Sequence, residues 1–118
     1  MDALIAKAQE LGRLLAEHKR FEALIAARDA VRKDAAASKL LRDYDAKAQH
    51  IHALLAQGKP VEVADKRTLS ELEQQMASNE SLKTMARAQA DFSEMMSKIN
   101  RAIYDKIAPA GEPSEKGE

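Results

Sequence analysis

The sequence predicts an all-α protein, a bundle of about five helices with a long helix at its C-terminal end. Three observations carry that expectation. Alanine supplies 23 of the 118 residues, against two Phe, two Tyr and no Trp; alanine is the best helix former, and so few aromatics disfavour strands. Apolar residues recur at spacings of three and four along most of the chain, the period of one helix face. Gly and Pro are sparse, and all but Gly12 fall near 58–60 or after residue 108.

The first helix is expected at 2–17, where Leu4, Ala8, Leu11 and Leu15 recur and Ile5 and Leu14 widen the stripe. His18-Lys19-Arg20 contains no apolar residue and predicts a bend, after which Phe21, Leu24, Ile25, Arg28 and Val31 define a helix over 19–33 on a shifted face. Asp34 is placed to cap a third helix over 35–57, whose face is Leu40, Leu41, Tyr44, Ala48, Ile51 and Leu55. Gly58 suits the left-handed position that follows a helix, and Lys59 to Asp65 reads as a loop. Thr68-Leu-Ser-Glu71 fits a capping box for a short helix over 66–77, with Leu69, Leu72 and Met76 inward. Ser78-Asn79-Glu80 offers the next cap, and Leu82, Met85, Ala88, Phe92, Met95, Met96, Ile99, Ile103 and Ile107 continue one stripe over 79–107. Residues 1–108 are thus expected to form a single helical domain, and 109–118, rich in Pro and Gly, a frayed tail.

Nineteen basic and nineteen acidic residues cancel and are mixed along the chain, which argues against a nucleic-acid module with its clustered basic footprint. No apolar run approaches the ~18–20 residues of a membrane span, and the N-terminus lacks the pattern of a signal peptide. With no cysteine, disulfides, thiolate metal sites and cysteine nucleophiles are excluded, and a cytoplasmic setting is expected.

Candidate chemical groups are few. His50 and His52 stand two apart and point to opposite sides of a helix, so they do not share a metal. His18 reads as a solvated turn residue. Asp43 and Asp45 flank Tyr44 as borders of a core stripe, and no catalytic carboxylate pair is visible. The glycines are too scattered for a phosphate loop. Gly12, inside a helix where it costs roughly 1 kcal/mol relative to Ala, is expected to mark a close helix crossing. Met76, Met85, Met95 and Met96 read first as core and second as an adaptable binding surface. No enzyme activity, cofactor or metal is expected.

Taken together, Leu11-Gly12 with Leu15, Phe21 with Ala27 and Ala30, Asp34 before Leu40-Leu41, Gln49, Gly58-Lys59, and Asn79 opening a last helix that ends Ile99-Asn100-Arg101-Ala102-Ile103 resemble the YlbF/YmcA family of small bacterial helical proteins. The likeness spans about residues 1–107. It implies a dimerising multi-helix bundle without enzymatic activity, acting through other proteins in competence, biofilm formation, sporulation and mRNA processing, in a complex associated with iron–sulfur clusters. The chain departs from that picture in having no cysteine to ligate a cluster. It also has Glu80 where the family often has Pro, which a helix N-terminus tolerates.

The last helix carries an expectation of its own. About 29 residues span ~43 Å, more than the ~35 Å diameter of a compact globule of this length. A second chain is therefore expected to cover its projecting end, in a homodimer or higher oligomer that pairs the strip of Met95, Met96, Ile99, Ile103 and Ile107 with its own copy, or with another regulatory protein. A small-molecule or RNA-binding module with a pocket between helices is the alternative.

Overall fold

The computed structural model describes residues 1–108, so the tail expected at 109–118 lies outside the described residues. Five helices follow one another: α1 (Asp2–Ala16), α2 (Lys19–Lys33), α3 (Ala35–Ala56), α4 (Val63–Ser78) and α5 (Glu80–Ile107). Among the described residues there is no strand.

One residue separates α2 from α3, and one separates α4 from α5. Asp34 (φ −96°, ψ 104°) and Asn79 (φ −83°, ψ 125°) have extended backbones, and each turns its side chain onto the helix it opens. The Asp34 carboxylate accepts from Ala37 N–H at 3.1 Å, and the Asn79 carbonyl accepts from Leu82 N–H at 2.9 Å. These bonds satisfy N–H groups that a helix start leaves without partners. The α2–α3 and α4–α5 pairs thus form two rods, each broken once, lying antiparallel with α2 along α5 and α3 along α4. The breaks coincide, because the Ser81 hydroxyl donates to Asp34 across 2.8 Å.

Around this junction sits the core. Val31, Ala37 and Leu82 are buried together, with Leu40, Leu41, Met76 and Met85 packed against them. A second cluster, Leu24, Ala27 and Ala88, lies between α2 and α5 and is flanked by Met85 and Phe92. Phe92 is partly exposed, its ring centroid 5.7 Å from that of Phe21. Arg20 donates to the Asp91 carbonyl and the Glu94 carboxylate, both at 3.0 Å, fixing the register of α2 on α5.

Most boundaries lie within a residue of those the caps predict, and Gly58 takes the expected positive φ of 72°. The start of α4 does not. Thr68 and Glu71 lie inside the helix rather than forming a capping box, since α4 begins at Val63 and its N-cap Glu62 makes no side-chain cap bond. The extra turn is held by tertiary ties: Asp65 accepts from Lys47 Nζ on α3 at 2.9 Å, and its other oxygen lies 3.4 Å from His50 Nε2. A carboxylate in the first turn also suits the positive end of the helix dipole.

The molecule is elongated. Its radius of gyration is 19.7 Å and its dimensions are 53 × 37 × 25 Å, where a compact chain of this length would show a radius of ~13 Å.

Leu24, 1% exposed, should lose about 2–5 kcal/mol on Leu24→Ala, and half-buried Phe92 less than the ~3–5 kcal/mol of an enclosed phenylalanine. Asn79→Ala should cost about 1 kcal/mol through the lost cap. Urea unfolding midpoints at constant m-value check all three.

The Ser81 hydroxyl and the Ala37 N–H both stabilise the ionised Asp34 carboxylate, outweighing its partial desolvation and holding its pKa below the ordinary 3.8. The folded state therefore binds the proton less well than the unfolded chain. The resulting stabilisation is complete above the unfolded value and lost as pH falls through the folded one. Asp34→Asn should flatten that acid-side decline, measured as unfolding midpoints from about pH 3 to 7.

Candidate interaction surface

The residues expected on the projecting strip divide in two. Met95, Met96 and Ile99 are half-buried, whereas Ile103 and Ile107 are 49% and 58% exposed. Tyr104, which the strip reading passed over, is also exposed. The exposure follows from the register: Arg20, in the first turn of α2, already reaches Glu94, so α5 continues for thirteen residues beyond the start of its packing partner.

A second uncovered face lies on α1. Leu4 is 69% exposed, Ile5 and Leu14 are exposed, and no residue of α1 is buried. The two-residue link Glu17-His18 neither folds α1 back along α2 nor lays it on α5; contact with α2 is slight. His18 shapes that link, because its Nδ1 accepts from Arg20 N–H at 3.0 Å and caps α2. It is therefore a capping residue rather than a free turn histidine. Among the described residues the close crossing expected at Gly12 does not occur, since a Cβ there would meet nothing within 4 Å. By contrast, the Phe21–Val31 face offers little free surface: Leu24, Ala27 and Val31 are buried, the first two with Ala88 of α5 and Val31 with Ala37 and Leu82, leaving Ile25 exposed.

What sequence reasoning missed is that α1's stripe is left uncovered by the other described helices. Stripe and caps look the same for a helix that packs and one that does not. Gly12 is the available signal, since it marks a close helix crossing without saying which helix crosses.

Asp43 pairs with Lys39 at 2.7 Å, and the Tyr44 hydroxyl lies 3.4 Å from Glu73. Among the described residues, no group of three His, Asp or Glu side chains is arranged to hold a metal. No helix among them is long and apolar enough to cross a membrane. An open groove of about 430 Å³ lies where α3, α4 and α5 meet, with Leu41, Tyr44, Met76, Leu82 and Met85 on its walls. The Lys47 ammonium holds the Asp65 carboxyl below its ordinary value, against partial desolvation and with help from His50.

The geometry defines a class: an elongated five-helix protein with a small core and two unpartnered apolar faces. A family described as control of competence regulator ComK, YlbF/YmcA, matches residues 4–108, and the chain belongs to it. Relatives include UPF0342 proteins of Streptococcus pyogenes serotype M5 (strain Manfredo) and serotype M49 (strain NZ131), each 26% identical over 97 residues, which are 82% of this chain and 86% of the relative. One from serotype M3 (strain ATCC BAA-595 / MGAS315) is 25% identical over the same shares.

Removing the α3–α4 tie should loosen the first turn of α4 alone. In Asp65→Ala, hydrogen exchange of the amides from Lys66 to Leu69 should accelerate while those around Leu82 and Ala88 keep their protection. Equal acceleration in both regions would instead make Asp65 a determinant of the whole fold.

Proposed function

We propose that this protein is a non-enzymatic cytoplasmic regulator that works through protein–protein contacts, first with a second copy of itself and, through that assembly, with another regulatory protein. The observation that carries this reading is the apolar surface on α1 and on the end of α5, where Leu4, Ile5, Leu14, Ile103, Tyr104 and Ile107 face solvent. Monomeric soluble proteins rarely leave contiguous patches of this kind in water. Family membership supports a regulatory class. An iron–sulfur role is not carried over, because there is no cysteine.

A second reading, a small-molecule site, draws on the groove between α3, α4 and α5, whose size falls among ligand pockets. Its polar groups are Lys83 and the pair of Tyr44 with Glu73, which is exposed and long, so a ligand finds little fixed polar geometry to orient it.

Light scattering tests the favoured reading. Wild type at micromolar concentration is expected at twice the 13.0 kDa chain mass. Ile103→Glu places a carboxylate in the apolar contact, where it is costly without a partner, so it should shift the population to monomer with unchanged helical circular dichroism. A monomeric wild type would overturn self-association.

A further inference from the structure

We infer that the second copy is held by exchange of α1: the apolar face of α1 from one chain lies on the Ile99–Ile107 end of α5 from the other, and a two-fold axis repeats the contact. This rests on the self-association proposed above, and specifies its partner surfaces in place of a strip of α5 meeting its own copy.

The area calls for a cover of this size. The chain exposes 8787 Å², whereas a compact monomer of its mass exposes about 6,300 Å². Even if residues 109–118 carried a fully extended chain's area of about 1,400 Å², about 1,000 Å² of excess would remain. A standard interface takes about 800 Å² from each partner.

The shapes match. At ~1.5 Å per residue, α1 and the part of α5 beyond Glu94 are each ~20 Å long. Both project from the same end of the molecule, since α1 leads into the turn of α2 whose Arg20 holds Asp91 and Glu94. On α1, Gly12 stands one turn beyond Ala8, on the side of the stripe that also carries Leu4 and Ile5. A glycine within a helix is destabilising, and among the described residues no atom comes near enough to require one. A helix from a second copy, approaching closely over Ala8 and Gly12, gives the small residues a role.

Charge decides between the possible pairings. From Lys98 to Ile107, Lys98, Arg101 and Lys106 stand against Asp105, whereas within α1 Asp2 and Glu10 balance Lys7 and Arg13. Two α5 ends brought together would oppose like charges. An electrically balanced α1 laid on an α5 end avoids that opposition, and charge of this kind selects the partner more than it adds affinity.

The absence of cysteine allows a direct test with single-cysteine chains. Leu4→Cys and Leu11→Cys place a thiol on α1; Ile99→Cys and Ile107→Cys place one on α5. Each α1 variant is unfolded and refolded with each mass-tagged α5 variant to exchange subunits, then treated with a short bis-maleimide. The expected result is an α1-to-α5 link between chains in at least one mixture, several-fold stronger than any link of a variant with itself. If light scattering finds a dimer but α5 variants link chiefly to their own kind, or α1 variants to theirs, the exchange is overturned while self-association stands. A monomeric wild type overturns both.

Discussion

Asp34 and Asn79 interrupt two antiparallel helical rods side by side, and the hydrogen bond from Ser81 to Asp34 ties the interruptions together. Much of the remaining architecture depends on that junction. An uninterrupted rod would keep one heading, and α2–α3 could then follow α4–α5 only as a straight two-helix hairpin. Because both rods break at one level, α2 packs on α5 and α3 on α4, while Val31, Ala37 and Leu82 fill the space around the break. Capping bonds on both sides replace the helical hydrogen bonds that each break gives up. Asp34 serves three elements: its carboxylate caps α3 and accepts from Ser81 of α5, while its backbone N–H donates to the Val31 carbonyl where α2 ends.

A core so distributed is small. Only Leu24, Ala27, Val31, Ala37, Leu82 and Ala88 are buried among the described residues, three of them alanines, which bury little apolar area each. Two rods in contact along one line cannot enclose the apolar width of all five helices. Most of the uncovered remainder falls at one end, on α1 and the last turns of α5, with Ile25, Leu55 and Val63 exposed elsewhere; the reason is geometric, since α2 starts opposite Glu94 and the short Glu17-His18 link sends α1 away rather than along either neighbour.

The polar chemistry has a scaffold character. Asp65 with Lys47 and His50 joins α3 to α4, Arg20 with Glu94 joins α2 to α5, and His18 caps a helix. Each titratable group singled out in the sequence is engaged in holding elements together or lies apart from the others. The function proposed above accordingly rests on the complementarity of the apolar faces rather than on these polar groups.

Sequence alone determined the helices and most of their limits, because periodicity, caps and the left-handed glycine are properties of a few neighbouring residues. Asp34, Asn79 and Gly58 stand where local rules put them. Family membership was also readable, from small residues, turns and caps spread over nearly the whole chain. The first turn of α4 was not, since Asp65 is held by Lys47 and His50, residues of another helix. Nor could the pattern say which stripes are covered: Leu24 and Leu4 both sit on apolar helix faces, yet one is buried against α5 and the other faces water. An amphipathic period reports that a face prefers to leave water, whereas the partner that removes it is set by the directions the helices take at their breaks, which only the tertiary structure decides.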